Sequence, residues 1–403
     1  MEIKKFLGLR NVSAPDREKP GALDTALDVD IDNSGALRSR TGQTLVTATA
    51  SHSMWAKPGL CLVAQGTSLR RMDEAGALTT LGALSTVAPI SYVEDNGVVY
   101  FSNGTDTGRI VAGALREWGV RAPSGQPQVV GTAGGLPAGR YLYAMTFLRD
   151  DGMESGSHNP GIIELTDIGG ISFLSMPAST DSSVVGKALY ISAPNGTELY
   201  RIAVVGASVT SHSYTNAGTD LGVLLQGQYA GPPPPGTIVE IHAGVAYVVT
   251  GSTAYASDQY QYERFRLSSR FLQLPGAITM FAAVSGGIYA ATDTGTWFFA
   301  GTDPDAMKVS KVLEVGAIPG TAARVDSGEE TDDDKAAPSR PGLLWASTDG
   351  IISGDADGVV KDLTVAQYGV PSAERGAAIV RAQRGYTSYL LSLRGTATGN
   401  QYS

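Results

Sequence analysis

Cysteine is nearly missing from this chain of 403 residues, where Cys61 stands alone. A single thiol closes no intramolecular disulfide and builds no thiol-rich metal site. Histidine is almost as scarce. His52, His158, His212 and His242 lie far apart with no H-x-x-x-H spacing, so no zinc site is expected. No apolar run approaches the ~18 residues that a membrane-spanning segment needs. Residues 1–10 lack the apolar stretch and cleavage site of a secretory leader, so folding in a reducing cytosol without a membrane anchor is expected. Charge is thin too, at 17% of residues against the usual quarter. Acidic residues outnumber basic ones, 39 to 30, for a net charge of −9. That balance argues against tight, phosphate-neutralising nucleic-acid binding, yet suits a passage through which DNA slides. Walker loop, kinase signature and Gly-x-Ser-x-Gly elbow are all lacking, so no catalytic residue and no cofactor are assigned.

What is abundant is glycine, 50 residues, within a chain that is 42% hydrophobic. Together with frequent Val, Thr and Ser, this means many short strands joined by many turns. Hairpin units recur along the chain. Residues 60–63 and 69–72 flank a Gln-Gly-Thr-Ser turn, and 90–93 reverses through Asp95-Asn-Gly97 into 98–102. Residues 238–255 and 278–297 run in parallel: strand, Gly turn, a strand carrying Tyr, a Thr- and Gly-containing turn, then an aromatic strand. Further units follow at 343–363 and 377–393. A three- or four-stranded antiparallel unit every 30 to 50 residues is the pattern of propeller blades. Each unit leaves an apolar face that only its neighbour covers. The count is six or seven blades and does not decide between them; stacked β-sandwiches would share the turns but not the two parallel copies.

Residues 125–230 break that rhythm. About seven short strands follow a Pro/Gly-rich stretch, as in an immunoglobulin- or fibronectin-III-like sandwich. Its exit is Gly231-Pro-Pro-Pro-Pro-Gly236, which reads as a stiff polyproline spacer. The expected fold is therefore all-β: a propeller split into residues 1–124 and 231–403, with an inserted β-sandwich at 125–230.

Four local patterns invite chemistry. Asp28, Asp30 and Asp32 alternate with Leu27, Val29 and Ile31, the period-2 pattern of a strand with one buried face. A calcium loop starting at Asp28 would need Gly at 33 and Glu at 39, where the chain has Asn33 and Ser39. Ala291-Thr-Asp-Thr-Gly-Thr-Trp297 is similar to the Asp-box of sialidase-type propellers, a hairpin turn and not a catalytic element. Residues 326–335 hold six carboxylates, Asp326, Glu329, Glu330, Asp332, Asp333 and Asp334. Charge this dense cannot be buried, so the run reads as a solvated loop or as one that projects into a channel or onto a partner. Residues 255–266 combine aromatics with two arginines. Tyr260, Tyr262, Arg264, Phe265 and Arg266 are candidates for a subunit contact or a blade core, ahead of single-strand nucleic-acid stacking.

One stretch carries more than local structure. Val29, Ile31, Asp32, Gly35, Leu37, Arg40 and Gly42, preceded by Phe6-Leu-Gly-Leu-Arg-Asn11, form an apolar/Asp alternation followed by D-x-x-G-x-L-x-x-R-x-G. This resembles the N-terminal signature of the tail nozzle, or tail hub, proteins of short-tailed bacteriophages. "G-x-Y-x-Y" at 139–143, "D-G-x-E-S" at 151–155, "L-Y-R-I-A" at 199–203 and Asp303-Pro304 are similar to that family in the same order. The resemblance implies a structural virion protein with no enzymatic activity, assembled in the bacterial host cytoplasm. It further implies a ring-forming homo-oligomer, a hexamer, below the portal and adaptor. Tail fibre, spike or needle components would lie nearby, and viral double-stranded DNA would pass without sequence-specific binding. In that setting the acidic loop and Asp28, Asp30 and Asp32 would face the channel and repel phosphates. The competing class is a carbohydrate-binding or glycan-hydrolysing propeller associated with a phage tail; a host cytosolic scaffold is a third possibility with no motif of its own.

Overall fold

The computed structural model describes residues 8–9, 21–23, 29–31, 36–39, 44–218, 221–325, 342–364, 368–383 and 386–395. Among the described residues every regular element is a β-strand. Val29–Ile31 pairs antiparallel with Leu37–Ser39 in the register Val29↔Ser39 and Ile31↔Leu37. Five larger antiparallel sheets follow in chain order: sheet 1 (51–83), sheet 2 (91–116), sheet 3 (238–273), sheet 4 (280–313) and sheet 5 (323–362). Four of them are four-stranded meanders, and sheet 3 adds a short fifth strand, Phe271–Gln273, beside Thr253–Asp258. A two-stranded hairpin, Arg375–Gln383 with Tyr386–Arg394, ends the series. This succession of meanders is consistent with a β-propeller.

Turn chemistry sets the hairpins. Asn96 and Gly97 both hold positive φ, 48° and 84°, so Ser91–Asp95 reverses into Val98–Ser102 through two residues. Ala243 and Gly244, at 50° and 76°, do the same in sheet 3. Gly244 is tied to its place twice over, because a Cβ there would run into the Tyr260 ring.

Two compact units divide the chain: Met1–Ala83, Gly251–Thr253 and Gln273–Ser403 form one, and Leu84–Thr250 with Ala254–Leu272 form the other. In the first unit, Tyr289, Phe298, Leu343, Trp345 and Ile352 pack sheets 4 and 5 together. The Tyr289 ring lies 4.7 Å from Phe298 and 5.4 Å from Trp345. Behind sheet 5, Ile318, Ala346 and Val370 meet Leu391 and Leu393 of the terminal hairpin. The last strand of sheet 4, Lys308–Leu313, is mostly exposed.

The second unit packs sheet 2 on sheet 3 through Val93, Tyr100, Trp118, Val239, Val248 and Phe265. It also contains the sandwich. Seven strands between Gln128 and Tyr214 form a three-stranded sheet (first, fourth and seventh) and a four-stranded sheet ordered third, second, fifth, sixth. Tyr141, Met145, Phe147, Ile171, Phe173, Leu189 and Ile191 fill the space between them. The strand number agrees with expectation. The order differs from a constant-type immunoglobulin domain, where the first, second, fifth and fourth strands share a sheet. The outer face of the four-stranded sheet is apolar as well, with Ala144, Ala188 and Tyr190 packed beneath Leu225 of the returning chain.

That return corrects the spacer reading of residues 231–236. Pro233 and Gly236 are buried. Polyproline backbone makes no internal hydrogen bonds, so its carbonyls are free for neighbours. Ser102 Oγ donates to the Gly236 carbonyl at 2.6 Å, Gly104 N donates to it at 2.7 Å, and Thr250 Oγ1 donates to the Pro235 carbonyl at 2.9 Å. The segment straps sheet 2 to sheet 3.

Candidate functional site

The densest polar chemistry lies where the sandwich meets sheet 2. Strand Gly139–Arg149 runs out of the sandwich into the turn Asp150-Asp-Gly152, closed by a Gly152 N–H to Arg149 carbonyl bond and by positive φ at Gly152. That turn aims two carboxylates at sheet 2. Arg116 takes Asp150 in a fork, Nη1 to Oδ1 and Nη2 to Oδ2, both at 2.8 Å. Arg109, whose side chain is 7% exposed, donates to Asp151 Oδ2. Arg149, 1% exposed, donates through Nε to both Asp151 oxygens at 3.1 Å and through Nη1 to the Glu117 carbonyl at 3.0 Å.

Two buried guanidiniums thus share one carboxylate. Burial pushes the Asp151 carboxyl up, but the Arg149 and Met153 hydrogen bonds and the charges of Arg109 and Arg149 outweigh it, and the net shift is downward. Burial, and then the charge of Arg149, lower the Arg109 guanidinium, with Asp151 opposing them. Tyr100, behind Arg109, is pushed up to about 12, mainly by burial. Guanidinium stays charged and the carboxylate is saturated with donors, so the cluster suits fastening and not acid–base catalysis.

A second fastening lies on sheet 3. Arg266 donates to Asp258 through Nε and Nη2, both at 3.2 Å, and to the carbonyls of Gln228 and Gln226, both at 2.8 Å. Arg270 joins the same carboxylate at 3.4 Å. Trp118 donates to the Tyr262 carbonyl at 2.8 Å, and the Tyr262 hydroxyl donates to Asp95 at 3.1 Å. Gly231 and Phe265 exchange two backbone bonds. Both chain crossings into and out of the sandwich are therefore held.

Of the five aromatic and arginine candidates in this segment, four serve the chain itself. Phe265 is fully buried, Tyr262 lies edge-on to Tyr100 at 5.5 Å, Arg266 binds the returning chain, and Arg264 sits beside Glu263 at 3.7 Å. Tyr260 alone is open, 73% exposed on a φ of 56°. Asp326, Glu329, Glu330, Asp332, Asp333 and Asp334 lie outside the described residues, as do Asp28 and Asp32; the Asp30 position stands opposite that of Arg38 in the backbone register of the N-terminal hairpin. Among the described residues no three His, Cys, Asp or Glu side chains gather as a metal site. Sequence reading missed Arg109, Arg149 and Asp151. The Asp-Asp-Gly turn was visible, but nothing local indicates that its carboxylates meet an arginine some forty residues upstream.

No family model and no curated protein matches the chain. Among solved structures, AztD from Citrobacter koseri is 10% identical, with 86% of this chain and 90% of that one covered and a TM-score of 0.25. Sqt1 from Saccharomyces cerevisiae is 12% identical, with coverage of 72% and 79% and a TM-score of 0.22. A gluconolactonase from Xanthomonas campestris is 13% identical, with coverage of 66% and 87% and a TM-score of 0.16. At such TM-scores these likenesses carry no argument about function.

Proposed function

We propose that this chain is a structural protein of a short-tailed phage virion, a β-propeller tail nozzle with a rigidly held β-sandwich arm. It would assemble as a ring below the portal and adaptor and give DNA a passage during ejection. The observation that carries the reading is the N-terminal motif. The residues that resemble the nozzle signature include Val29, Ile31 and Leu37; across the hairpin Ile31 stands opposite Leu37 and Val29 opposite Ser39.

The chemistry of the second unit supports a passive role. Its buried ionic groups are spent on joining sandwich to sheet, which favours a part that must keep its shape under load. A net charge of −9 keeps phosphates from adhering to the wall. Heterologous contacts between identical copies close into a ring when their rotation permits. Tyr260, exposed at the tip of a sheet 3 hairpin, is the side chain from this segment available for such a contact.

Negative-stain imaging of the purified chain, alone and mixed with portal–adaptor complexes of the phage that encodes it, tests the proposal. Rings that dock end-on are the expected result. Solitary molecules that hydrolyse bacterial surface glycans would replace this reading with the glycan-active one.

A further inference from the structure

The two sides of the β-sandwich are finished differently. On one side the chain covers its own edges. Residues 222–225 pair with the sixth strand, Leu199–Gly206: Gly222 N donates to the Arg201 carbonyl at 2.9 Å, Arg201 N to the Val223 carbonyl at 2.9 Å and Leu225 N to the Leu199 carbonyl at 2.8 Å. The seventh strand, His212–Tyr214, has three residues, and shortness itself blunts an edge. On the other side lie the first strand, Gln128–Leu136, and the third, Gly161–Leu165. Among the described residues neither has a strand on its outer edge. They sit together, because a Cβ on Gly131 would meet Leu165 Cδ2 at 3.4 Å.

The first strand lacks what normally protects an edge. Its nine residues, Gln-Val-Val-Gly-Thr-Ala-Gly-Gly-Leu, hold neither charge nor proline. Residues 128–132 keep one register with the fourth strand, from Gln128↔Leu174 to Thr132↔Gly170, before an irregularity carries the chain to Leu136↔Gly169. That leaves a short, regular and open edge. Val129 packs on the sandwich core, so Val130 points outward, 38% exposed. Ile162 on the third strand and Ile168 beyond it are 55% and 75% exposed.

Composition also selects the occupant. A net charge of −9 sets copies of the chain against one another, and an uncharged strand is where two of them can meet. Glu164 and Asp167 belong to the other sheet and its exit, and Glu164 has Arg140 opposite it in the register. Run antiparallel to itself about Val130, the strand sets Val130 against Val130, Val129 against Gly131 and Gln128 against Thr132. A β-branched pair lies on the axis, amide faces hydroxyl on either side, and no like charges are opposed.

We propose that residues 128–132 join the same residues of a second copy, antiparallel across a two-fold axis at Val130, so that two three-stranded sheets become one. The contact is isologous, unlike the head-to-tail contacts that close a ring. It would pair single chains or whole rings, and it holds or fails apart from the virion reading.

Sedimentation equilibrium and cysteine cross-linking of the full-length chain test it. Val130→Lys puts two ammonium groups face to face and should halve the mass of whatever species the wild type forms. An equimolar mixture of Val130→Lys and Val130→Asp should restore that mass. In a Cys61→Ser background, Val130→Cys should give a disulfide-linked dimer on oxidation with diamide. Directly opposed residues hold their Cα atoms about 4.5–5.5 Å apart, within disulfide reach. Thr132→Cys alone should not, since its two copies would stand about 13 Å apart along the strands; mixed with Gln128→Cys it should. A wild type that stays monomeric, or a mass unmoved by Val130→Lys, overturns the proposal. So does equal self-linking of Val130→Cys and Thr132→Cys, which would mean no fixed register. A mass that responds to Val130→Lys without any self-link at Val130→Cys also overturns it, because the edge then meets a different segment. Should Val130→Lys unfold the sandwich, the cysteine variants decide alone.

Discussion

Sheets 3 and 4 are built on one frame and put it to different uses. Each of the first three strands of sheet 4 begins 42 residues after its counterpart in sheet 3: Ile238 and Met280, Val245 and Gly287, Thr253 and Gly295. The same offset relates Tyr247 to Tyr289, both wholly buried on the middle strand. Beyond the third strand the two diverge. Sheet 4 continues into an exposed strand, Lys308–Leu313, paired along its length with the third strand apart from a single bulge at Thr296/Trp297. Sheet 3 pairs Ser257 with Phe265 and Asp258 with Gln261, an irregular register, and turns Phe265 and Arg266 toward the sandwich junction. The shared part supplies the core. The unshared strand supplies the attachment, and a three-residue distortion is enough to convert one into the other.

The comparison breaks most sharply at Phe265. Phe265→Ala should cost about 3–5 kcal/mol, since it empties a fully buried ring site against Trp118. Calorimetry of the full chain should show the loss in the transition that includes the sandwich. A transition of unchanged midpoint would mean that sheet 3 and the sandwich are not one cooperative body.

Asp151→Asn comes next, at about 3 kcal/mol, because two buried guanidiniums lose their shared charge. Its pH dependence has a fixed sign. The folded carboxyl titrates below its ordinary value, so the stabilisation is complete above the unfolded value and is lost as pH falls through the lowered folded one. Urea unfolding from pH 6 down to pH 3 should therefore bring wild type and Asp151→Asn together. A gap that stays constant with pH would remove the charge from the explanation.

Tyr289→Phe sharpens the comparison at the smallest scale. The Tyr289 hydroxyl donates to the Asp355 carbonyl at 2.9 Å, so its loss should cost about 1 kcal/mol. Denaturant midpoints of Tyr289→Phe and Tyr247→Phe, measured side by side, would show whether the two equivalent tyrosines carry equal weight.

Much of the frame was legible beforehand. The turns at Asp95-Asn-Gly97 and Asp150-Asp-Gly152 announce themselves because few residues tolerate positive φ. The kinship of 238–255 with 278–297 emerged from the same alternation of apolar and Gly positions that now appears as a constant register. The strands Gln128–Leu136 and His212–Tyr214 escaped notice, the first because Gly131, Gly134 and Gly135 dilute its pattern and the second because it has three residues. The junction was invisible for a different reason. Ion pairs such as Arg109 with Asp151 depend on where the fold returns the chain, and no local periodicity encodes that. The packed prolines misled for the same reason: composition reports stiffness, while burial depends on which neighbours need a carbonyl.

The outermost strand of sheet 4 has a consequence for how copies of this protein can crowd. Its backbone edge is exposed, yet Lys308 and Lys311 stand along it with Val309 and Val312. A valine-rich ribbon without those two cations would zip onto its equals and grow into insoluble filaments. Lys308 sets an exposed ammonium along that edge, while the Lys311 ammonium meets Glu314 and lies 5.6 Å over the Trp297 ring, so the edge presents charge where a second strand would have to align.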